Sequence, residues 1–461
     1  MSNDQDALEG DLTMPHMTRR RLLGKGAHAV LAGGVALSAI PTLESRASAK
    51  SAPQAVDYYQ KLGVSPFINA AGTYTVLSAS TMPDEVLAAI ALAARQPVNL
   101  NELLDASGAY LAERLRCQAA LVTSGAAAAL VVGTAACITM GNEQAILGIP
   151  TEMAGLRNEV IVQKSHRYGY DHALRNCGIR FVEVETLEQY GQAFTERTVM
   201  AHFFNAGAGK ISREDWVRVA HQHGVPCFND AAADVPPISN LWNYTQMGFD
   251  LVTFSGGKGL RGPQCTGLLL GRKDLIEAAK KNNSPNSNTI GRGMKVAKEE
   301  IVGLVAAIDW FLKQDDAAME AECRERADRI AKHLSTIPTV QTQIFIPEVA
   351  NHVPHLLITY DQNRIKITGA EVMQKMREGK PRIELNPSTG GAPASAGLPG
   401  GPNTIIVGVW MLQPGEDMVV AKRLRELLQE GTRAYRKHRT REFSGEDTND
   451  SVNSRADLTG R

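Results

Sequence analysis

Short apolar runs alternate with helical segments from the end of an N-terminal leader to about residue 275, and this alternation constrains the fold more than any other feature. Such a pattern is typical of βαβ units, which build a mostly parallel sheet covered by helices. Ligands of these sheets bind beyond the carboxyl ends of the strands. We therefore predict an α/β fold, with strands that include residues 178–184, 199–205, 251–254 and 267–270.

A second, smaller α/β domain is predicted from renewed alternation towards the carboxyl end. Strands are expected over residues 355–360 and 404–410, and helices over 371–377 and 416–428. A charged helix over about 315–334 is expected to join the two domains. The predicted organisation is a leader over residues 1–49, a large domain over 50–310, a small domain over 311–436 and a disordered tail over 437–461.

Lys258 lies in a glycine-rich loop between two apolar runs, in the sequence Phe254-Ser-Gly-Gly-Lys258-Gly-Leu-Arg-Gly-Pro-Gln264. The glycines allow backbone dihedrals and close approaches that side chains forbid. A lysine presented in this way suits a Schiff base with pyridoxal phosphate (PLP), because partial burial favours the neutral amine. The alternative is a solvated loop lysine. A nucleotide P-loop is disfavoured, because Thr253 and Gly259 stand where that motif requires glycine and a hydroxyl residue.

A carboxylate ends another apolar run, in Val225-Pro-Cys-Phe-Asn-Asp230-Ala-Ala-Ala. At the carboxyl end of a parallel strand, Asp230 would face the ligand crevice. A carboxylate there can keep the pyridine nitrogen of PLP protonated, which preserves the ring as an electron sink. The alternative is a helix N-cap, since Asp before an alanine run is a good one.

A turn suited to an anion follows a third apolar run, in Ala119-Ala-Leu-Val-Thr123-Ser124-Gly125-Ala126-Ala. The free N–H groups of a helix N-terminus, the helix dipole and the hydroxyls suit a phosphate dianion. Ser124 alternatively serves only as an N-cap. Downstream, His166 follows the strand that begins at Glu159, where a flat ring can stack on a cofactor; a structural histidine is the alternative.

Taken in this order, these segments resemble the fold-type I PLP enzymes, and in detail the branch that contains bacterial selenocysteine synthase and D-glucosaminate-6-phosphate ammonia-lyase. The resemblance extends over roughly residues 57 to 435. The motifs that carry it are Ile68-Asn-Ala-Ala-Gly-Thr73-Tyr-Thr, Thr123-Ser-Gly-Ala-Ala-Ala-Ala-Leu130, Asp230-Ala-Ala, Phe254-Ser-Gly-Gly-Lys258-Gly-Leu-Arg-Gly-Pro-Gln264, Ile290-Gly-Arg292-Gly-Met-Lys295 and Pro354-His-Leu-Leu-Ile-Thr359.

This resemblance implies a role for each matching residue. Lys258 would form the Schiff base with PLP, Asp230 would pair with the ring nitrogen, and His166 would stack on the ring. The implied phosphate ligands are Ser124, Gly125, Ala126 and Ser255, and the implied substrate residues are Thr73, Gln264, Arg292 and Arg382. Arg382 is the candidate for a substrate carboxylate, because a guanidinium fork matches a carboxylate; a surface arginine is the alternative.

Composition excludes several other classes of protein. The formal net charge is zero, so no global field draws the chain to nucleic acid or acidic lipid. The six cysteines show neither CxxC pairs nor Cys/His ligand spacing, so we expect no metal site and no disulfide framework. The length of 461 residues is ample for a large domain and a smaller one.

The N-terminus resembles a twin-arginine export signal. Arg19 and Arg20 precede an apolar, Gly/Ala-rich run over residues 27–40 and then Ala47-Ser48-Ala49, which suits a signal peptidase. The run is too short for a stable membrane anchor. We therefore expect periplasmic localisation, with the twin-arginine translocase as a partner during export; a disordered Arg-rich arm is the alternative.

The resemblance implies a PLP-dependent enzyme that acts on an amino acid or an amino sugar acid, and we expect an α,β-elimination lyase of the ammonia-lyase type. Transferases of the selenocysteine synthase or aminotransferase type, and racemases, share the first steps. Selenium transfer to seryl-tRNA is disfavoured, because a leader stands where a tRNA-binding domain is expected. An inactive exported binding protein and a nucleotide enzyme are the remaining hypotheses. A homodimer or higher homo-oligomer is expected, with Arg292 close to the neighbour's cofactor.

Overall fold

The computed structural model describes residues 56–205, 207–391 and 398–444, with side chains in the last helix described through residue 433. The compact unit that begins at Tyr59 contains all of the strands and nearly all of the helices. The predicted leader and its arginine pair lie outside the described residues, as do most of the predicted tail and residues 392–397 of the loop before Pro402.

Twelve strands form three sheets in the described part of the chain. They are β1 (Ile68–Ala70), β2 (Ala119–Thr123), β3 (Glu159–Gln163), β4 (Arg180–Val184), β5 (Thr198–Phe204), β6 (Cys227–Asp230), β7 (Leu251–Ser255), β8 (Gly267–Gly271), β9 (Gln341–Phe345), β10 (His355–Thr359), β11 (Ile383–Leu385) and β12 (Thr404–Gly408).

Fourteen α-helices accompany these strands in the described ranges. They are α1 (Tyr58–Leu62), α2 (Asp84–Ala93), α3 (Leu100–Arg114), α4 (Ala126–Thr139), α5 (Glu143–Gly148), α6 (His172–Arg175), α7 (Leu187–Gln192), α8 (Arg213–Gln222), α9 (Asn240–Met247), α10 (Lys273–Lys281), α11 (Lys298–Phe311), α12 (Asp316–Leu334), α13 (Gly369–Arg377) and α14 (Glu416–Ser444). Short 3₁₀ helices cover Thr75–Leu77, Lys164–His166 and Gly169–Asp171.

The main sheet has seven strands in the order β2-β8-β7-β6-β5-β3-β4. All neighbours pair in parallel except β8, which is antiparallel to both β2 and β7. Strands such as β3 and β8 are buried along their whole length, as expected for a sheet covered on both faces. The α/β architecture predicted from the sequence is confirmed.

Helix α4 packs against this sheet through nearly all of its length, because its Ala/Val-rich sequence permits a close approach. A Cβ on Gly133 would lie 2.5 Å from the Phe228 ring, so glycine is required where the helix crosses β6. This packing fixes the N-terminus of α4 beside the carboxyl-terminal edge of the sheet.

The carboxyl-terminal part of the chain builds a three-stranded antiparallel sheet, β12-β10-β9, with its own hydrophobic core. That core also contains Ile68 and Ala70, because β1 pairs in parallel with β11. The unit from Tyr59 onwards therefore contains two main hydrophobic cores, but contacts between its residues join it into one compact unit. The domain boundary near residue 310 stays a prediction.

One prediction at the carboxyl end differs from the structure. Helix α14 continues to Ser444, past the start of the disordered tail expected at residue 437. The physical reason is that Arg, Lys and Glu, which dominate this charged stretch, are good helix formers as well as common in disordered segments.

Candidate active site

The Lys258 loop begins directly after β7, at the carboxyl-terminal edge of the main sheet. It is a compact turn in which Arg261 N donates to Lys258 O at 3.0 Å and Gly262 N donates to Gly256 O at 2.8 Å. A Cβ on Gly257 would lie 2.4 Å from Gln264 Cα, and one on Gly259 would lie 2.0 Å from Val235 O. The glycines are therefore required by packing, and Lys258 is presented from a rigid turn.

Asp230 is the last residue of the neighbouring strand β6 and is 3% exposed. Tyr168 Oη donates a hydrogen bond to Asp230 Oδ2, and Ala232 N donates to Oδ1 at 3.1 Å. Burial raises the pKa of Asp230, while Tyr168, Ala232 N–H and the charge of Lys258 lower it. These donors favour the carboxylate form in a site where burial alone would neutralise it.

Lys258 and Tyr168 complete the electrostatics of this group. Burial lowers the pKa of the partly buried Lys258, opposed by Asp230 and Asp234, so the neutral amine is more accessible than in a solvated lysine. Burial, and then the charge of Asp230, raises the pKa of Tyr168 well above its ordinary value. Tyr168 therefore stays protonated and remains a donor, stacked on Phe204 with ring centroids 3.9 Å apart.

The predicted phosphate residues lie at one edge of the main sheet, at the ends of strands β2 and β7, which flank β8. In the strand pairing of the sheet, Gly267 of β8 lies opposite Thr123 of β2 on one side and opposite Ser255 of β7 on the other. Thr123 directly precedes Ser124. Gly125, with φ of 86°, leads into α4, and a Cβ on Gly267 would lie 2.3 Å from Gly125 C. The hydroxyls of Ser124 and Ser255 and the free N–H groups of the first turn of α4 thus share one edge, which fits a phosphate group.

His166 does not contact Asp230 through a hydrogen bond in the described residues. Its ring is fully buried, with Nδ1 accepting from Phe204 N at 3.3 Å and Nε2 at 3.3 Å from Gln163 Nε2. Burial lowers the pKa of His166 to about 4, so the ring is neutral. The aromatic side chain that hydrogen-bonds to Asp230 is that of Tyr168. The stacking role of His166 stays a prediction, and Tyr168 is an alternative candidate for stacking on the cofactor ring.

The segment after β1 contains the predicted substrate residue Thr73 and contacts Gln264, the predicted substrate residue at the end of the Lys258 loop. Thr73 Oγ1 donates to Asn351 Oδ1 at 3.2 Å, and Asn351 N donates to Ala233 O, beside Asp230, at 2.7 Å. Gln264 Nε2 donates to Thr75 O at 2.8 Å. In addition, Ser80 Oγ donates to Gly257 O at 2.6 Å.

The two predicted arginines lie in different surroundings. Arg382 donates to Glu384 Oε1 at 2.9 Å through Nε and also through Nη2, and Glu384 is 1% exposed. Its fork is therefore engaged with a buried carboxylate inside the protein, and its role towards a substrate carboxylate stays a prediction. Arg292 is exposed, with Nη1 3.4 Å from Ser284 Oγ.

Sequence reasoning missed Asp234, a second buried acid near Lys258. Asp234 Oδ2 accepts two hydrogen bonds, from Asn205 Nδ2 at 2.5 Å and from Tyr244 Oη at 3.2 Å. Arg213 Nε in turn donates to Asn205 Oδ1 at 2.7 Å. Burial raises the pKa of Asp234 to about 6, with Asp230 adding to the shift. The spacing Asp230-Ala-Ala-Ala-Asp234 was the available signal. Tyr168 was also missed, although it lies two residues after His166.

One cluster has metal-ligand residue types. Within the described residues, ligand atoms of His221, Cys227 and Asp250 lie within 4.8 Å of one another. Asp250 Oδ2 also accepts from Cys227 N at 2.7 Å, and Arg272 Nη1 lies 3.1 Å from Oδ1. Cys227 and Leu251 begin β6 and β7, so this cluster is at the opposite end of the strands from Lys258.

Comparison with known proteins identifies the family. The family described as "SelA: L-seryl-tRNA selenium transferase" matches residues 67–354, which is more than half of the chain. The chain belongs to this SelA family. The match contains β1 to β9 and hence Lys258, Asp230 and the turn before α4.

Two curated relatives of the chain are enzymes with different activities. A 5'-C-glycyluridine monooxygenase-decarboxylase from Streptomyces sp is 30% identical over 342 residues, 71% of this chain and 83% of the relative. A D-glucosaminate-6-phosphate ammonia lyase from Salmonella typhimurium (strain 14028s / SGSC 2262) is 28% identical over 335 residues, 70% of this chain and 87% of the relative.

A solved structure agrees with this membership. The structure of a D-glucosaminate-6-phosphate ammonia-lyase matches with a TM-score of 0.69 and 26% identity, over 82% of this chain and 100% of that chain. The fold is thus that of fold-type I PLP enzymes, as the sequence indicated, and pyridoxal phosphate is the cofactor indicated for this SelA-family chain. The residues present fit it: a lysine with an accessible neutral amine, a hydrogen-bonded carboxylate and an anion cradle.

Proposed function

We propose that this chain is an exported PLP-dependent lyase that eliminates a group from the β-carbon of an amino acid or amino sugar acid. The observation that carries the proposal is the joint placement of Lys258 and of Asp230, hydrogen-bonded by Tyr168, at the end of β6 and β7. The similarity to ammonia-lyase relatives supports elimination as the proposed reaction.

When bound, PLP supplies an electron sink for negative charge on the substrate carbon that carries the amino group. Ser124, Ser255 and the N–H groups at the start of α4 would hold its phosphate. Asp230 would keep a proton on the ring nitrogen, with its negative charge favoured by Tyr168 and Ala232 N–H. Lys258 Nζ would take the proton from the α-carbon, since burial lowers the pKa of its amine.

Loss of that proton and of the β-substituent leaves an unsaturated amine, which water converts to ammonia and a 2-keto product. Transfer and racemisation would use Lys258 and Asp230 in the same first steps, so these residues alone do not select elimination. An inactive binding protein on this fold has less support, because the chain keeps the lysine, the carboxylate and the anion cradle together.

The experiment has two parts on the purified full-length protein. Borohydride reduction with PLP present should add the cofactor's mass to the peptide that contains Lys258 and not to the Lys258→Ala protein. Release of ammonia and a 2-keto acid from a panel of amino acids and amino sugar acids then tests elimination. Labelling without ammonia release would leave PLP in place and overturn the lyase assignment; absence of labelling would overturn both.

A further inference from the structure

A cavity of about 150 Å³ lies behind the Lys258 loop and is not used by the proposed chemistry. Its walls are Gly259 and Arg261 from the loop, Trp310 at the end of α11, Arg326 from α12 and Trp410 after β12. Pockets for drug-sized molecules are on the order of 300–1,000 Å³, so this cavity suits a small group. None of these residues belongs to the phosphate cradle at the start of α4.

The walls of this cavity carry more positive than negative charge. Arg261 Nε donates to Thr81 O at 2.8 Å and Nη2 donates to Thr81 Oγ1 at 3.0 Å, while its guanidinium lies 5.3 Å from the centre of the Trp310 ring. No carboxylate pairs with Arg261 among the described residues. Burial, and then the neighbouring Arg326, lowers the pKa of Arg261, against the opposing charge of Glu322.

Arg326 is the second guanidinium, and its side chain is only 11% exposed. Its Nη1 donates to Val409 O and Trp410 O, both at 3.2 Å, and its Nη2 donates to Glu322. Among the described residues, Glu322 is therefore the single carboxylate beside two arginines on these walls, and it is itself 61% exposed. Two partly buried guanidinium groups with one exposed carboxylate leave a positive charge that an anion would neutralise.

The backbone of Arg261 supports a ligand role. Its φ of 54° lies in the left-handed region, which a non-glycine residue adopts at a cost. Such conformations are maintained at ligand sites where the surroundings hold them. Here the Thr81 contacts and the bond from Arg261 N to Lys258 O keep the guanidinium at the cavity while tying it to the lysine turn.

We propose that this cavity binds the phosphate or carboxylate group of a small molecule between Arg261 and Arg326, beside the Lys258 turn. The anionic group is either the distal end of the amino substrate or a separate small anion. Only the first of these sources rests on the function proposed above. In both, Arg261 and Arg326 bind the anion and the two tryptophans enclose it.

Inorganic phosphate is the probe, titrated into the PLP-loaded protein at constant ionic strength with chloride as the balancing salt. Binding is measured by calorimetry and by the fluorescence of the tryptophans, two of which line the cavity. We expect saturable binding that Arg326→Gln weakens at least about tenfold, because a charge-assisted bond is lost. Arg324→Gln is the matched control, since Arg324 lies on the same helix but pairs with Glu320 at 2.7 Å.

A second variant avoids removing a structural arginine. Gln314→Glu keeps the side-chain size but adds a negative charge at the cavity wall, so it should also weaken phosphate binding about tenfold or more. The proposal is overturned by the absence of saturable binding, or by equal affinity in the wild type, Arg326→Gln and Gln314→Glu.

Competition identifies the source of the anion. If the anion is the distal end of the substrate, phosphate competes with O-phosphoserine, and not with serine, in shifting the cofactor absorbance. If the anion is separate, phosphate still binds with the same dependence on Arg326 but competes with neither. Phosphate affinity does not depend on ammonia release, so failure of the lyase assignment and failure of this site are distinguishable.

Discussion

At the scale of single residues, the hydroxyl of Tyr168 lowers the pKa of the buried Asp230 more than any other contact does. Tyr168→Phe should therefore raise the pKa of Asp230 and weaken its hold on a protonated ring nitrogen. A hydrogen bond to a charged group contributes about 1.5–3 kcal/mol, so we expect turnover to fall roughly 10- to 100-fold with PLP still bound. Steady-state kinetics and cofactor absorbance measure the two quantities.

Two comparisons make this prediction specific. Tyr170→Phe is the control, because Tyr170 is 58% exposed and close to Tyr168. If Tyr168 acts through Asp230, combining Tyr168→Phe with Asp230→Asn should cost little more than Asp230→Asn alone. Additive losses would show that Tyr168 acts independently of the carboxylate.

Asp234 predicts a pH dependence of stability with a definite sign. Burial raises the pKa of this carboxyl from 3.8 to about 6 in the folded protein. Between these pH values the folded state binds more protons than the unfolded chain, so the free energy of unfolding falls as the pH rises. Relative to the wild type, Asp234→Asn should therefore gain about 2.4 kcal/mol between pH 4 and pH 7.

Urea unfolding of the cofactor-free protein across this range tests the prediction. Asp215→Asn is the control, because the exposed Asp215 has its pKa lowered by Arg218 and should not reproduce the gain. A constant stability difference between the Asp234→Asn protein and the wild type at all pH values would contradict the raised pKa.

At the scale of elements, the contact between the start of β8 and the N-terminus of α4 determines the anion cradle. A Cβ at residue 267 would lie 2.4 Å from Gly125 O and 2.6 Å from Ala126 N, both backbone atoms that cannot move aside alone. Gly267→Ala should push β8 and α4 apart, destabilise the fold by about 1–3 kcal/mol and weaken PLP binding.

Equilibrium dialysis with PLP and thermal unfolding measure these two effects. Gly293→Ala is the matched control, because a Cβ there meets nothing within 4 Å and its φ is not in the left-handed region. Wild-type PLP affinity in a folded Gly267→Ala protein would show that the α4 turn is not the phosphate site.

At the scale of the whole molecule, we propose a homodimer in which Arg292 serves the neighbour's active site. Arg292 is exposed, while the adjacent Gly291 is held against Asn282 and Val132 of its own chain. Mixed dimers of Lys258→Ala and Arg292→Ala subunits should regain part of the activity that each variant lacks alone. A fully active monomer by sedimentation, or mixed dimers without activity, would contradict the shared site.

Localisation is also a property of the whole chain, and we propose periplasmic export by the twin-arginine route. Replacing Arg19 and Arg20 by lysine should retain the protein in the cytoplasm, because that pathway's receptor reads the arginine pair. Cell fractionation with immunodetection measures this, and an unchanged periplasmic yield would contradict it. Among the helices of the described ranges, none has both the length and the apolar character needed to cross a bilayer.

Local sequence patterns determined the α/β class, the Lys258 turn, the position of Asp230 and the turn before α4. Apolar strands, glycine turns and helix starts arise from interactions between residues close together in the chain, so they are readable without a structure. The family resemblance was readable for the same reason, since its motifs are short and contiguous.

Only the tertiary structure decided which side chains meet. It placed Tyr168 beside Asp230 while His166 turns towards Gln163, because two 3₁₀ turns after β3 set the side-chain directions. It paired Arg382 with Glu384 and joined the three-residue strands β1 and β11 across the chain. Such contacts depend on distant segments, whose approach is fixed by burial of two hydrophobic cores rather than by local preference.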